Sequence, residues 1–346
     1  MPMSDFDYDL PPELIAQAPL EQRSASRLMV LNRAGNDIKH RQFADLPELL
    51  SKGDLLVLND SRVLPARLTG HRRSGGEVKV LLLRELEGWR WDALMRPARK
   101  LRLNEELVFQ SRNPDNFEEA VATVIAKGEE GQGIVELDER LAVNLASFGR
   151  VPLPPYIRTH LDDDDRYQTV YAHDSGSAAA PTAGLHFDLK MFASLAEAGV
   201  EVAYVTLHVG LDTFRPVSAE YAEDHVIHSE WCSVPKAAAV AIAEAKARGS
   251  RVVAVGTTAA RTLETYGSRR GVEPGEPFAG MTNKYITPGY EWTLVDAMIT
   301  NFHLPKSTLL LMMSSFAGTS LLFEAYRQAI AHRYRFFSFG DAMFVE

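Results

Sequence analysis

Short apolar runs bounded by polar residues divide the first sixty residues into two strands and a helix. The runs LMVLNR (28–33) and DLLVLND (54–60) are predicted as strands, the second of them buried. Between them, FADLPELLSKG (43–53) has the spacing of a short helix that ends at Gly53. This start is typical of a mixed α/β domain.

From about Val63 to Gly149 the pattern changes to short runs with β character. These are EVKVLLLRE, GWRWDALMR, EELVFQ, EAVATVIAK and GIVELDE, separated by the turn signals SGG, NPDN and GEEGQG. Such spacing predicts an antiparallel sheet or a small barrel. Three prolines in RVPLPPYIR (150–158) then predict a rigid, extended connector at the next domain boundary.

Beyond this connector the chain alternates helix and strand patterns. DLKMFASLAEAG (188–199) and PKAAAVAIAEAKARG (235–249) read as helices, and the strands VEVAYVTLH and RVVAVG follow them. YEWTLVDAMITNF (290–302) contains a third strand, and EAYRQAIAHR (324–333) is helical. Helix–strand repeats imply parallel pairing with covering helices. The fold class is therefore α/β, with residues 1–60 and 151–346 forming the main domain and residues 61–150 inserted as a β domain.

The cysteine count and the lengths of the apolar runs indicate the compartment in which the protein is expected. Cys232 is the only cysteine, so no internal disulfide is possible and a reducing compartment is expected. The N-terminus MPMSDFDYDLPPEL is acidic, unlike a secretory signal, and the longest apolar run, Leu309 to Met313, is far below the roughly twenty residues of a membrane span. We expect a cytoplasmic protein without a membrane partner or an obligate protein partner.

Charge is unevenly distributed along the chain. The formal net charge is −9, yet residues 61–102 hold eleven Lys or Arg against four acids, a net +7 that leaves −16 for the remainder. A local cluster of cations is typical of a polyanion-binding surface even on an acidic protein. A solvated strand face would have the same pattern, and the sequence does not separate the two.

Polar, catalysis-capable residues follow the predicted strands of the main domain. Ligands of open α/β sheets bind beyond the carboxyl ends of the strands, so these positions are the candidates for a site. The candidate residues are Thr182, Gly184, His186 and Phe187; His208, Gly210, Asp212, Thr213 and Phe214; Gly256, Thr257, Thr258 and Arg261; and Asn301, Phe302 and Lys306.

Two kinds of chemistry are available among them. Gly256, Thr257 and Thr258 enter a predicted helix, whose N-terminal N–H groups and hydroxyls suit a carboxylate or phosphate, although an ordinary capping turn has the same sequence. Arg261 could hold a carboxylate in two places or pair with Glu264 on its own helix. The imidazoles of His186 and His208 could accept and return a proton, or be structural.

Other signatures are weak or missing. His225 and His228, three residues apart and close to Glu230, could share a helical face as metal ligands, but no cysteine cluster or HExxH motif accompanies them, so no metal site is predicted. The run DDDD (162–165) reads as a solvated loop. The chain has no GxGxxG after a strand, no Walker A motif and no GxSxG, which counts against dinucleotide, nucleoside-triphosphate and serine-hydrolase chemistry.

Ten segments, ordered along the whole chain, resemble one known family, the S-adenosylmethionine:tRNA ribosyltransferase-isomerases of queuosine biosynthesis. They are FDYDLPPELIAQAP (6–19), SRLMVL (26–31), NDSRVLPARL (59–68), PLPPYIR (152–158), YQTVYA (167–172), APTAGLHF (180–187), VTLHVGLDTFRPV (205–217), VGTTAARTLE (255–264), TNFHLPKSTLLLMMSSFAG (300–318) and the terminal YRFFSFGDAMF. The family usually has Gly-Ala-Gly-Thr-Phe where this chain has Gly-Leu-Asp-Thr-Phe (210–214), and FIYPGY where it has KYITPGY (284–290).

The resemblance implies an α/β domain of unusual topology interrupted by a small β-barrel. It also implies transfer and isomerisation of the ribosyl group of S-adenosylmethionine onto 7-aminomethyl-7-deazaguanine at the wobble position of tRNA. The products would be epoxyqueuosine-tRNA, adenine and methionine. S-adenosylmethionine would be a co-substrate, with no prosthetic group.

The candidate residues can be matched to this chemistry as a hypothesis. His186 or His208 would be base or acid, with Asp212 and Asn301 orienting them, and Thr257, Thr258 and Arg261 would hold the methionine carboxylate. Phe187, Phe214 or Phe302 would stack on adenine or face the sulfonium. The candidates for binding the anticodon arm are Arg62, Arg67, Arg72, Arg73, Arg99 and Lys100.

Two other functions remain open from the residues. A methyltransferase with the same co-substrate would normally have a Gly-rich loop after its first strand, which this chain lacks. A non-catalytic RNA-binding module would explain the basic β section but not the histidine-containing loops. Release of free adenine and methionine would distinguish the three.

Overall fold

The structure is a computed structural model that describes residues 1–113, 118–210, 219–269 and 273–346. The chain forms two compact units. One comprises Met1–Arg62, Pro154–Asp174 and Ala180–Glu346, and the other comprises Val63–Leu153 and Ser175–Ala179. The sequence pattern placed the inserted section at 61–150 and gave no sign of the short segment 175–179.

The described residues form seventeen strands and eight α-helices. In chain order the strands are β1 (Arg27–Asn32), β2 (Asp37–Gln42), β3 (Leu55–Asn59), β4 (Ser61–Val63), β5 (Arg67–Arg72), β6 (Glu77–Glu85), β7 (Arg90–Arg96), β8 (Glu106–Gln110), β9 (Glu119–Lys127), β10 (Gln132–Leu137), β11 (Asp174–Ser177), β12 (Glu201–Leu207), β13 (Glu230–Val234), β14 (Val252–Val255), β15 (Phe278–Thr282), β16 (Ala297–Asn301) and β17 (Ala342–Val345). The α-helices are α1 (Leu46–Leu49), α2 (Glu139–Val143), α3 (Leu145–Phe148), α4 (Leu189–Glu197), α5 (Lys236–Ala247), α6 (Thr257–Gly267), α7 (Thr308–Ala317) and α8 (Thr319–Ala331).

In the first unit, the described strands form a nine-stranded mixed sheet in the order β15-β13-β12-β3-β14-β16-β17-β1-β2. Its centre is parallel, because β12 pairs in parallel with β3, β3 with β14, and β14 with β16. The strands β13, β15 and β2 add antiparallel edges, and β17 runs parallel to β1 and antiparallel to β16. The predicted parallel α/β sheet is confirmed, together with antiparallel strands that the pattern did not predict.

Alternate residues of β3 point to opposite faces of this sheet and enter different apolar layers. Leu55 and Val57 pack in one core cluster with residues of α5 to α8, while Leu56 and Leu58 pack in another with residues of α1 and α4. All five residues of the strand are buried. A strand covered on both faces needs a continuous apolar run, which explains why DLLVLND lacks alternation.

The second unit is a closed six-stranded barrel in the order β10-β7-β6-β5-β8-β9, with antiparallel pairing throughout. Val78, Val80 and Leu82 of β6 point into its core, and the alternate residues are less buried. Gly70 lies where a Cβ atom would come within 2.2 Å of the Val108 carbonyl oxygen, so only glycine fits this close strand contact. The predicted small β-barrel is confirmed.

Helices α4 and α5 lie within the predicted ranges 188–199 and 235–249. The helix predicted to end at Gly53 is wrong in extent, because α1 covers only Leu46–Leu49, and α8 begins at Thr319, before the predicted start at 324. Asp188 caps α4 by accepting a hydrogen bond from the Met191 N–H at 2.8 Å. Within the described residues, no single helix has the length and apolar composition to cross a bilayer, and α7 with α8 meets those two criteria only as a pair bent by 114°.

Candidate active site at the carboxyl edge of the parallel strands

Four neighbouring parallel strands end in polar loops at one edge of the sheet. Asp60 follows β3, His208 follows β12, Gly256 follows β14 and Asn301 is the last residue of β16. The chain places β12 on one side of β3 and β14 on the other, so β3 marks a topological switch point. Open α/β sheets bind ligands beyond the carboxyl ends of strands at such points.

Asn59 joins the ends of β3 and β12. Its Nδ2 donates to the Leu207 carbonyl at 3.1 Å, and its Oδ1 accepts from the Leu207 N–H at 3.0 Å. The side chain is fully buried, so these bonds hold the start of the His208 loop at a fixed distance from β3. Sequence reasoning missed Asn59 because it read the residue as part of an apolar strand.

Asp60, directly after it, is a second residue that the sequence analysis missed. Its Oδ1 accepts a hydrogen bond from the Thr206 hydroxyl at 2.7 Å. Burial raises the pKa of this carboxyl, the Thr206 hydrogen bond opposes the rise, and the charge of Asp174 adds to it. Asp60 was included as the last residue of the predicted strand 54–60, and a carboxylate at that carboxyl end was the available signal.

His208 is partly buried beside two carboxylates. Its ring stacks on Trp231 at 5.2 Å between centroids, and its Nε2 lies 3.8 Å from Asp174 Oδ1. Burial lowers the pKa of the imidazole, and the charges of Asp174 and Asp60 oppose the shift. Its Nδ1 is buried without a hydrogen-bond partner among the described residues. A neutral imidazole in this position can accept a proton and form an ion pair afterwards.

His186 lies in a different environment. The side chain is buried, with Nδ1 2.7 Å from Ser26 Oγ, Nε2 3.1 Å from Asn301 Nδ2, and the ring stacked on Phe43. Burial lowers its pKa to about 3, with smaller contributions from the charges of Arg335 and Arg23. The adjoining cavity measures about 20 Å³, enough for about one water molecule. Both ring nitrogens have protein partners, which fits a structural role better than the proton transfer predicted for His186.

Asn301 and Thr182 belong to the same hydrogen-bond network. The Thr182 hydroxyl donates to Asn301 Oδ1 at 3.0 Å, and Asn301 Nδ2 also donates to the Phe337 carbonyl at 3.2 Å. The network therefore joins β16 to the short 3-10 helix Thr182–His186. Within that helix, a Cβ at Gly184 would lie 2.0 Å from the Tyr171 hydroxyl oxygen, so the close packing needs glycine.

The loop after β14 presents a helix N-terminus. Gly256 has a φ of +87° and donates its N–H to the Ile299 carbonyl at 2.7 Å, which turns the chain into α6. Thr257 is buried, and the neighbouring Thr258 Oγ1 is buried with no hydrogen-bond partner in the described parts of the chain. An unpaired hydroxyl at the positive end of a helix suits an incoming carboxylate.

Arg261 does not pair with Glu264, the intrahelical alternative. Its Nη2 lies 2.7 Å from Glu230 Oε2, with both side chains buried, while Glu264 accepts hydrogen bonds from the backbone N–H groups of 293–295. Glu230 Oε1 also accepts from the Gly210 N–H at 2.7 Å. Glu230, which the sequence analysis weighed only as a metal ligand, therefore connects α6 to the His208 loop.

The structure contradicts the stacking role predicted for two phenylalanines. Phe187 packs against Phe43 and Phe192, and Phe302 packs against Tyr326, Tyr334 and Phe336. Neither has exposed surface, so neither ring has a face open to a ligand. The predicted residues Asp212, Thr213 and Phe214 lie outside the described residues.

Lys306, also predicted to line the site, has a carboxylate partner. Its Nζ lies 2.6 Å from Asp7 Oδ2, and both side chains are close to half exposed. Its backbone N–H also donates to the Phe6 carbonyl at 2.9 Å. These contacts tie the segment after β16 to the N-terminal segment of the same unit.

The six predicted tRNA-binding cations fall into two groups: four that have protein partners, and two that lie in the loop 96–102. Arg72 pairs with Glu105 at 2.6 Å and Arg73 with Glu106 at 2.5 Å, both on the barrel. The other two residues with partners are Arg62, which lies 3.3 Å from Asp165, and Arg67, which donates to the Leu153 carbonyl.

The second group is the cationic loop, which we define as residues 96–102. Its charged side chains are Arg96, Arg99, Lys100 and Arg102, all exposed. In the parts of the chain that the structure describes, none of these four has an ion-pair partner. Among the described residues, the cationic loop therefore presents four exposed positive charges that have no ion-pair partner.

Comparison with known proteins gives one consistent result. The family model of the queuosine biosynthesis protein matches residues 3–345. Proteins named S-adenosylmethionine:tRNA ribosyltransferase-isomerase from Symbiobacterium thermophilum, Acetivibrio thermocellus and Thermotoga maritima are 52%, 48% and 48% identical, each over 100% of both chains.

A solved structure agrees with this match. The crystal structure of S-adenosylmethionine tRNA ribosyltransferase from Thermotoga maritima is 39% identical, with a TM-score of 0.57, and the alignment covers 99% of this chain and 100% of that one. Sequence and fold therefore match over the same full length. This chain belongs to the queuosine biosynthesis protein family.

Proposed function

We propose that this protein is an S-adenosylmethionine:tRNA ribosyltransferase-isomerase. It transfers and isomerises the ribosyl group of S-adenosylmethionine onto 7-aminomethyl-7-deazaguanine at the tRNA wobble position, and it releases adenine and methionine. The observation that carries this proposal is the match, at 48–52% identity over the full length of both chains, to three proteins with that name.

His208 supplies the base in this proposal. A sulfonium acidifies the neighbouring C5′–H, so a neutral imidazole can remove that proton. The pKa of His208 is lowered by burial, which keeps the ring unprotonated at neutral pH, and Asp174 Oδ1 lies 3.8 Å from Nε2 to stabilise the imidazolium that forms. His186 and Asn301 act as positioning residues through their hydrogen bond.

The N-terminus of α6 binds the methionine carboxylate. The unpaired Thr258 hydroxyl and the first N–H groups of an 11-residue helix supply donors for a carboxylate. Arg261 contributes through its buried pair with Glu230, which fixes the helix relative to the His208 loop, rather than as a free fork. Thr257 and Thr258 therefore keep the role that the sequence suggested.

The barrel contributes to tRNA binding through the cationic loop. Protein cations that neutralise RNA phosphates release the counterions condensed on the RNA, and cations without a carboxylate partner are free to do so; Arg99 and Lys100 satisfy that condition, while Arg72 and Arg73 are paired with Glu105 and Glu106. We place the domain boundaries near residues 61 and 150 and regard the barrel as the RNA-binding domain. A tRNA substrate fits the cytoplasmic location expected from the single cysteine.

The experiment is incubation of the protein with S-adenosylmethionine and tRNA carrying 7-aminomethyl-7-deazaguanine. We expect free adenine and methionine, each equimolar with the modified tRNA, by chromatography and mass spectrometry. Transfer RNA with an unmodified guanine at the same position is the matched control and should yield neither. Release of S-adenosylhomocysteine would show methyl transfer instead, and tRNA binding without any small-molecule product would show a non-catalytic module.

A further inference from the structure

A group of titratable residues surrounds His208 at the switch point of the sheet. Asp60 follows β3, and its carbonyl accepts the N–H groups of His173 and Asp174 at 2.8 and 3.2 Å. Its own N–H donates to the Val205 carbonyl at 2.9 Å. These backbone bonds fix both aspartates next to the end of β12, where His208 begins the loop.

The two carboxylates have different environments. Asp60 lies partly buried under a hydrogen bond from Thr206 at 2.7 Å, whereas the Asp174 side chain is 47% exposed and lies 3.8 Å from His208 Nε2. Two carboxyl groups that differ in solvation differ in pKa, so at one pH one of them can be protonated while the other is ionised. This is the arrangement that a reaction with one proton removal and one proton delivery requires.

We propose that Asp60 is the acid that protonates adenine as it leaves, with His208 as the base of the first step and Asp174 as the counter-ion of the protonated imidazole. This inference rests on the proposed function and assigns a proton donor to it. The sequence analysis did not select Asp60 or Asp174.

The protons and electrons balance in this scheme. His208 takes the proton from C5′, and the electron pair of the C–H bond stays on carbon as the ylide. As the sugar ring opens, the pair forms the C4′–C5′ double bond, the C4′–O4′ pair forms the carbonyl at C1′, and the C1′–N9 pair leaves with adenine. Asp60 gives its proton to adenine, and the proton held by His208 then returns to Asp60.

Neighbouring groups shift the pKa of the Asp60 carboxyl in both directions. Burial and Asp174 raise its pKa, whereas the Thr206 hydroxyl and His173 lower it. Burial raises the pKa values of Tyr171 and Tyr204, and the charge of Asp60 adds to the rise in both; their rings lie 5.6 Å apart. An acid with a raised pKa retains more of its proton near neutral pH, as this role needs.

The test separates the two proton transfers. Asp60→Asn keeps the oxygen that accepts from Thr206 and removes the transferable proton. In D₂O with S-adenosylmethionine and the precursor-bearing tRNA, we expect deuterium exchange at C5′ to continue at the wild-type rate, while adenine release falls by about 100-fold or more. His208→Ala should lose both, and the exposed Asp37→Asn should lose neither.

Each other outcome has a defined meaning. Near-normal adenine release in Asp60→Asn, or equal loss of exchange and release, would overturn the assignment of Asp60. If Asp60→Asn does not fold, Thr206→Val tests the same idea, because loss of this hydrogen bond raises the Asp60 pKa and should move the alkaline limb of adenine release to higher pH. An unmoved limb would contradict it. Absence of adenine from the wild-type reaction would reject the proposed function itself.

Discussion

Asn301 donates a hydrogen bond from Nδ2 to Nε2 of His186 at 3.1 Å. The orientation of the amide follows from its other contacts, since Oδ1 accepts from Thr182 and Nδ2 also donates to the Phe337 carbonyl. Nε2 of His186 is thus an acceptor, and its Nδ1 carries the proton toward Ser26. The Asn301 amide therefore sets the tautomer of the buried His186 imidazole and positions the short 3-10 helix that contains His186.

Replacing Asn301 by alanine should destabilise the main unit. The change leaves the buried His186 Nε2 and the Thr182 hydroxyl without this partner, and a buried unsatisfied polar group costs about 1–3 kcal/mol. We expect a loss of about 2–3 kcal/mol in the free energy of unfolding. Urea denaturation measures it, with the exposed Gln110→Ala as control. A loss as small as that of the control would show that the network is not stabilising.

Acidification should destabilise the protein from about pH 6.5 downward. Burial lowers the pKa values of both His186 and His303 to about 3, from 6.5. Between these values the unfolded chain binds the protons and the folded chain does not, so stability falls with falling pH, by about 1.4 kcal/mol per unit for each histidine. Urea denaturation between pH 7 and 5 measures the slope. His303→Gln should reduce it, and an unchanged slope would exclude His303 as a cause.

The buried pair of Glu230 and Arg261 should show strong coupling. Each single replacement, Glu230→Gln or Arg261→Met, disrupts a buried ion pair of 2.7 Å and should cost about 3–5 kcal/mol. The double variant should cost less than the sum of the two, because no isolated charge remains. A double-mutant cycle from urea denaturation gives the coupling energy, and additive losses would contradict the pairing.

Thr258→Val should weaken binding of S-adenosylmethionine without slowing the chemical steps. The valine has the same shape but lacks the Oγ1 that is buried and unpaired in the described structure. We expect KM to rise about tenfold and kcat to change little, as for loss of a hydrogen bond to a charged group. Decarboxylated S-adenosylmethionine is the matched ligand control. If the valine raises KM for both ligands equally, Thr258 does not contact the carboxylate.

The two groups of barrel cations should differ in their effect on tRNA affinity. Arg99→Ala with Lys100→Ala removes unpaired charges, so we expect weaker binding and a smaller salt slope, by about 1 for each lost phosphate contact. Arg72→Ala with Arg73→Ala removes charges already paired with Glu105 and Glu106, and should change the slope less. Binding is measured over a series of salt concentrations. Equal effects would mean that the ion pairs open on binding.

The sequence predicted those elements whose formation depends on residues close together in the chain. Continuous apolar residues identified β3, and Asp188 with Gly199 marked the two ends of the α4 region. Alternation and turn residues identified the barrel. These features depend on neighbours in the chain, so the pattern of a single sequence contains them.

The order of the strands and the burial of site residues depend on distant contacts instead. Nothing near Phe302 distinguishes a ring in the core from one open to a ligand, and only packing against Tyr326, Tyr334 and Phe336 decides it. The pairing of Arg261 with Glu230 rather than Glu264 likewise requires β13 beside α6, a strand that the pattern did not predict.

β17 lies between β1 and β16, so residues 342–345 join the first strand of the chain to the parallel centre. During translation, β1 can pair with β2 as soon as both have been made, but its other partner, β17, leaves the ribosome about three hundred residues later, whereas most barrel strands pair with close neighbours in the chain. A nascent chain would thus carry the apolar strand β1 with one edge unpaired for most of its synthesis. We therefore expect chaperones to bind, and proteases to cleave early, at that unpaired edge of β1.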